Sequence, residues 1–574
     1  MDIRKTFFLS FLLLSLTVVA QKSNLVREYV SPSRVVSCTG DVSNVERLLK
    51  KGIGQSTLSN DDVCAIKGRA TIILDYGEEL HGGLQIVTGM SPTAGPQNLH
   101  ITFGESVSEA MSREGEKGAT NDHAMRCLDV KVPWLGVAEI GNTGYRFLRI
   151  ETLDDNATLF LREIRAVSVY RDIERVGSFE SDDSLLNRIW DVGARTVHLC
   201  MQDYLWDGIK RDRLVWIGDM MPEVMSILSI YGADDIIPRS LDLTRDATPL
   251  PGWMNGISSY SLWWILLHEK WYEYTGDITY LQKQADYLYP LVEQIISTID
   301  KDGREHLGGT RFLDWPSNAN TMAVDAGLQA LTVMTLSSGE KLCRILGNEA
   351  LADKCHSYHQ KTFAAARKVA RDFVKKNTNP IGEKQAVSLL SLCGAIDSHQ
   401  AASIIEKNTT DGFSTFYGYF MCEALAKASH HKEAMDIIKR YWGGMLKMGA
   451  TSFWEDFDLR WIENASPIDQ IVPAGGIDIH GDFGAYCYKG FRHSLCHGWA
   501  SGPTSWLSHH VLGVEVMDTA CRKVRIIPHL GHLKWVKGTY PTPYGAIRIE
   551  HRVMENGEIK TEIEAPKEIT IIRQ

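Results

Sequence analysis

From Ser181 to about residue 515, apolar side chains recur at the three- and four-residue spacing of helices. That stretch of roughly 330 residues is too long for one bundle, and helix pairs with short connections suit an (α/α)6 toroid of about twelve helices. Ser181 is the expected N-cap of the first helix, whose apolar face is Leu185, Ile189, Val192, Thr196 and Leu199. Further helices are expected over 261–274, 278–299, 326–346, 385–396, 416–428 and 433–441. No sequence repeat accompanies them, so the toroid rests on length and periodicity.

On both sides the period drops to that of strands. Between about Ala70 and Asp172, runs such as Ala70-Thr-Ile-Ile-Leu-Asp75, Asn98-Leu-His-Ile-Thr-Phe103 and Tyr145-Arg-Phe-Leu-Arg-Ile150 are separated by turn residues, the pattern of a β-sandwich. Residues 21 to about 60 signal little and are read as a leader to it. From Val524 strand-like runs return, with Asn556-Gly557 as a two-residue hairpin signal between two of them. A chain of 574 residues also exceeds what one core holds, since cores stop growing near about 250–300 residues. The expected organisation is thus a multidomain α and β chain: an N-terminal β-sandwich over 21–172, the toroid over 173–515 and a C-terminal β-domain over 516–574.

Residues 1–20 read as a signal peptide, with basic Arg4 and Lys5, an apolar run over 7–19, and Val18-Val19-Ala20 as a cleavage site. The apolar run falls short of the roughly 20 residues that span a bilayer, and no later stretch qualifies. A periplasmic or secreted protein without membrane insertion is expected. A net charge of −10 without Lys/Arg runs disfavours nucleic acid as a partner. Eleven scattered cysteines give no zinc framework, and buried free thiols are preferred over a Cys343–Cys355 bridge. Neither Cys355, His356 and His359 nor Asp478, His480 and Asp482 completes a metal spacing. Without a phosphate loop, nucleophile elbow or dinucleotide fingerprint, neither a metal nor an organic cofactor is expected. Oligomeric state leaves no readable trace.

The densest polar stretch of the helical region is Trp206-Asp-Gly-Ile-Lys-Arg-Asp-Arg-Leu-Val-Trp-Ile-Gly-Asp219, placed where a loop leaves the first helix. Carboxylates and guanidinium groups suit sugar hydroxyls, indole faces suit sugar C–H faces, and a glycosidase needs a carboxylic acid and a carboxylate. Composition alone leaves open a solvated loop laced with ion pairs.

The spacing Asp-x-x-x-Arg-(Asp/Glu)-Arg-x-x-Trp-x-x-Asp, here Asp207, Arg211, Asp212, Arg213, Trp216 and Asp219, resembles the signature loop of glycoside hydrolase family 78, the α-L-rhamnosidases. Gly-Gly-Leu-Gln-Ile before Val87, Asp314-Trp315-Pro316, Gly449-Ala-Thr-Ser-Phe-Trp-Glu455 and Ser494-Leu-Cys-His-Gly-Trp499 extend the resemblance over most of the chain. It implies Asp212 as general acid, and Asp207, Trp216 and Asp219 as sugar-binding residues. The family acid is usually glutamate; aspartate is shorter by a methylene and sets the proton donor about 1.5 Å further back. Glu455 matches the general base, with Asp456 and Asp458 as nearby rivals and a helix-start glutamate as the structural alternative. His497 resembles the histidine that contacts the sugar, and Arg211, Trp499, Asp314 and Trp315 complete the expected substrate-binding set. Trp264 suits either the pocket wall or the core.

The expected function is an exo-acting, inverting hydrolase that frees terminal α-L-rhamnose from rhamnose-containing oligosaccharides or polysaccharides. Its rivals are another exo-glycosidase or a lyase on the same toroid, and a glycan-binding protein that has lost catalysis.

Overall fold

The structure, a computed structural model, describes residues 24–573; the expected signal peptide lies outside the described residues. Seven strands form the N-terminal unit: Leu25–Val30, Arg34–Ser43, Cys64–Thr88, Gln97–Gly104, Cys127–Val132, Val137–Thr152 and Thr158–Arg171. Residues 21 to 60 are therefore more than a leader, since the first two of these strands are full members of the sheet. The 25-residue strand Cys64–Thr88 organises the rest. Up to Asp75 it pairs with Arg34–Ser43, over Cys64–Lys67 and again from Gly82 with Thr158–Arg171, and in both halves with Val137–Thr152. The bend between the halves passes through Gly82, where φ is 143° and an added Cβ would lie 1.9 Å from the Val167 carbonyl oxygen, so glycine is required there. Leu74, Leu84, Ile86, Phe103, Tyr145 and Leu148 fill the core that this sheet encloses.

Twelve α-helices lie between Ser184 and Trp506 among the described residues. The first, Ser184–Cys200, is capped by Asp183, whose carboxylate accepts from the amides of Leu185 and Leu186. Ser181 is not the cap: it ends the strand Ser178–Ser181, and the carboxylate two residues on reaches the first turn instead. The ring closes where this first helix packs against His431–Lys447 and Gly502–Trp506. The expected helices lie within or close to observed ones, while the longest helix, Glu349–Lys376, carries a weak apolar signal, with alanine at four of its nine buried positions. Trp263 and Trp264 are fully buried, and Trp264 Nε1 donates to the Leu241 carbonyl, so this pair belongs to the core.

The C-terminal unit contains a four-stranded sheet ordered Ile559–Glu564, Ile547–Val553, Trp535–Tyr540 and Ser178–Ser181. The segment leading into the first toroid helix is thus an edge strand of the C-terminal sheet, with Val536 opposite Ser181. Gly557 does take a left-handed φ of 83°, but Met554 pairs with Glu558, so the hairpin turn is longer than two residues. All eleven cysteines are free thiols. No helix among the described residues is long and apolar enough to cross a membrane.

Candidate active site

The polar loop that follows the first helix folds around one of its own carboxylates. Asp207, nearly buried, accepts the Leu214 amide on Oδ1 at 3.0 Å and the Asp212 amide on Oδ2 at 3.2 Å. Between these two, Arg213 adopts a left-handed φ of 62°, a conformation that costs a non-glycine residue about 1 kcal/mol. Its guanidinium is held by the carbonyl and side chain of Asn142 and lies over the Trp206 ring. The turn carries the Asp212 side chain to the edge of the site, partly open to solvent.

Arg211 points the other way and joins the expected acid to the expected base. Its Nη1 donates to Asp212 Oδ1 at 3.1 Å, and its Nη2 donates to Glu455 Oε1. Glu455 sits in an irregular segment, not at a helix start, and Ser494 N faces its Oε2 at 3.3 Å. Burial alone would raise its pKa, yet Arg211, with His497 and His493 near it, holds it down at about 2. Asp456 has the opposite balance, since burial and then the charge of Glu455 push it up to about 7. Asp458 is engaged elsewhere, pairing with Arg460 and capping a short helical turn.

The segment Phe491–Ser494 clamps both halves. The carbonyls of Phe491 and His493 accept Lys210 Nζ at 2.9 and 2.6 Å, the carbonyl of Arg492 accepts Arg211 Nε at 3.0 Å, and Ser494 meets Glu455. Lys210 also stands 2.9 Å from Glu105 and 3.3 Å from Glu109 of the N-terminal unit. Glu105, Glu109 and His480 are the described residues that approach metal-ligand spacing, and the Lys210 ammonium lies against both glutamates of that set.

Behind the loop lies a second buried acidic layer. His497 Nε2 stands 3.3 Å from Asp219 Oδ2, and Tyr260 donates its hydroxyl to Asp219 Oδ1 at 3.3 Å. Burial lowers the pKa of His497, but the Asp219 contact and the charges of Glu455 and Asp207 outweigh it and raise it overall. Burial pushes Asp207 up to about 8 and also raises Asp219 and Glu223. Glu223, which the sequence reading passed over, finds no partner for Oε1 among the described residues. Its neighbour Gly498 has no room for a side chain, because a Cβ would lie 1.9 Å from that oxygen.

An arc of aromatic rings runs along one side: Trp216 meets Tyr260, Tyr260 meets Phe312, Phe312 meets Trp315, and Trp315 stacks on Tyr486, with centroids 5.2 to 6.3 Å apart. Trp216 is half-buried, and Trp315 and Tyr486 are 37% and 51% exposed, so indole and phenol faces remain open for contact. Trp499 is not among the open rings. It stacks on Phe416 and donates Nε1 to the Glu455 carbonyl at 2.9 Å, so it holds the backbone of Glu455.

Asp314, expected to bind substrate, is buried and has both oxygens engaged within the protein. Its Oδ1 accepts the Ser317 amide and hydroxyl, and its Oδ2 accepts Gln385 and Ser414. With both oxygens occupied and the group buried, Asp314 ties its own helical turn at Ser317 to Gln385 in the helix Glu383–Leu392 and to Ser414. The sequence reading also missed Lys210, His493 and Tyr260. Lys210 was in plain view within the polar loop.

Two family models match the chain: the bacterial alpha-L-rhamnosidase six-hairpin glycosidase domain over residues 174–511, and the bacterial alpha-L-rhamnosidase C-terminal domain over 513–572. No curated protein matches in sequence. Among solved structures, a family 78 rhamnosidase of a Bacillus species is 22% identical with a TM-score of 0.74, over 92% of this chain and 55% of that one. A rhamnosidase from Klebsiella oxytoca with rhamnose bound is 21% identical with a TM-score of 0.66, over 84% and 96%. An α-L-rhamnosidase of Streptomyces avermitilis complexed with L-rhamnose is 13% identical with a TM-score of 0.70, over 96% and 50%. The chain thus spans about half the length of the Bacillus and Streptomyces proteins and almost all of the Klebsiella one. These structural likenesses speak for the fold, and the first family match alone covers more than half of the chain: it belongs to the bacterial α-L-rhamnosidase family.

Proposed function

We propose that this chain is an exo-acting glycoside hydrolase that releases terminal α-L-rhamnose from glycans or glycosides with inversion at the anomeric carbon. The observation that carries the reading is the bridge made by Arg211, which places Asp212 and Glu455 on separate nitrogens of one guanidinium beside the aromatic arc. Inverting hydrolases need two carboxylates roughly 6.5 to 9.5 Å apart, with room for a water between base and sugar. The Arg211 guanidinium holds each carboxylate on its own nitrogen, and inversion is what the family resemblance of the two positions implies.

In this scheme Asp212, at the solvent-facing edge, protonates the glycosidic oxygen as the bond to C1 breaks. Glu455, held ionised, takes a proton from the water that forms the new bond to C1. Asp219 and His497 are placed to receive sugar hydroxyls, and Trp216 and Trp315 offer faces to the C–H surface and the C6 methyl of a deoxy sugar. Asp207 acts by shaping the loop that presents Asp212. The exo mode comes from the family resemblance of that loop, and the relatives described with rhamnose bound support the choice of sugar. Export rests on the basic and apolar pattern of residues 1–20.

The test is direct. Purified protein incubated with nitrophenyl α-L-rhamnoside, and with the corresponding glucoside, galactoside and fucoside, should release nitrophenol from the rhamnoside alone. Binding of rhamnosides with no turnover would leave a glycan-binding protein in place of an enzyme.

A further inference from the structure

Away from the catalytic residues, the helices Ser184–Cys200 and His431–Lys447, which pack side by side where the ring closes, leave a surface groove of about 760 Å3 against the N-terminal unit. Its lining holds five basic side chains and one acid, Asp469, in a chain whose net charge is −10. Two of the five are engaged: Arg146 pairs with Asp75, and Lys439 with Asp183. Arg188, Arg440 and Lys447 are exposed and meet no carboxylate among the described residues. Arg440 and Lys447 stand two turns apart on one helix face, about 10.5 Å along the axis, and Gly443 and Gly444 between them add no side chain to fill the space. Leu185, Leu446, Leu459 and Ile462, all half-buried, supply the apolar part of the lining. The lining stretch 449–451 runs on to Glu455, so the groove and the proposed base share one connection.

We propose that this groove binds an acidic glycan, a strand of uronate sugars, as an anchoring site separate from the catalytic centre; the choice of a glycan over another polyanion draws on the function proposed above. The guanidinium forks of Arg188 and Arg440 match carboxylates on two nitrogens each, and Lys447 adds a point charge. The leucines between them take the C–H faces of pyranose rings, which a groove of cations alone would leave uncovered. Duplex DNA, with one charge every about 1.7 Å of axis, calls for a wider basic surface than three unengaged cations. A strand held here keeps its ends at high effective concentration beside the catalytic centre without adding a contact to the reaction.

The experiment measures binding, by isothermal titration calorimetry at low salt, of wild type and of the triple variant Arg188→Gln/Arg440→Gln/Lys447→Gln. The probes are polygalacturonate, the same polymer fully methyl-esterified, dextran sulfate and duplex DNA. Wild type should bind polygalacturonate in preference to the other three, and the binding should weaken as salt is added. The triple variant should bind it about 10-fold more weakly or worse, through the lost charge-assisted hydrogen bonds. Its melting temperature, and its kcat and KM on nitrophenyl α-L-rhamnoside, should stay at wild-type values, because none of the three side chains reaches the catalytic residues. Absence of binding by wild type, binding unchanged in the variant or by esterification, or equal binding of dextran sulfate or DNA would overturn the proposal. If wild type binds polygalacturonate through these residues yet cleaves no rhamnoside, the function proposed above falls and the groove remains an acidic-glycan site.

Discussion

Arg211 Nη2 donates to Glu455 Oε1 in a site where both side chains are nearly buried. Removing one partner of such a pair leaves an uncompensated buried charge, at a cost of about 3–5 kcal/mol. Arg211→Met should therefore lower both stability and turnover, and should let the pKa of Glu455 climb, since burial alone raises it. Arg211→Lys, a point charge without the fork, cannot hold Asp212 and Glu455 at once and should recover stability better than kcat. Equal recovery of both would mean that the guanidinium serves only as a counter-charge.

The same pair makes a pH prediction for folding. Glu455 titrates at about 2 in the folded chain, below its ordinary value of 4.5, so its contribution to stability is present above about pH 4.5 and lost as pH falls toward 2. Glu455→Gln should flatten that part of the acid unfolding curve, measured by urea denaturation between pH 3 and 6. Glu455→Gln should also abolish turnover. Asp456→Asn, at the rival carboxylate with a pKa of about 7, should retain it; loss of activity in Asp456→Asn and survival in Glu455→Gln would transfer the base role.

Asp212→Asn keeps the shape of the acid but cannot give a proton. Cleavage of unactivated rhamnosides should fall by about 100-fold or more, while binding persists and an aryl leaving group suffers less. Wild-type rates on a natural glycan would remove Asp212 from the acid role.

Trp216 and Asp314 should respond oppositely to substitution. Trp216 is half-buried and perpendicular to the Tyr260 ring, so Trp216→Ala should weaken binding more than it lowers the melting temperature. Asp314→Ala strands the donors of Ser317, Gln385 and Ser414 and should destabilise first, each unsatisfied buried group costing about 1–3 kcal/mol. A Trp216→Ala protein that unfolds with unaltered affinity would place that ring in the core.

The sequence speaks most clearly where one residue type serves one purpose. The alternation of apolar and polar residues at both ends, and the helical period between them, made the three-part architecture legible before any coordinates. The signature loop was legible too, because its charges crowd into one stretch. What stayed hidden depends on distance in space. Asp314 and Asp219 look alike in sequence, and only their partners tell them apart, Gln385 and Ser414 for the one and Tyr260 and His497 for the other. Ser181 and Asp183 both suit a helix cap, and the choice was made by the strand that Ser181 completes against Val536.

The measurement that bears most directly on the mechanism is proton NMR of the first sugar released from an α-L-rhamnoside, recorded before mutarotation mixes the anomers. Asp212 and Glu455, held on separate nitrogens of Arg211, should deliver water to the face opposite the leaving group, so β-L-rhamnose should appear first and the α anomer only later. Initial release of α-L-rhamnose would require a covalent glycosyl-enzyme intermediate, and would contradict both the inversion implied by the two positions and the role of Glu455 as a base.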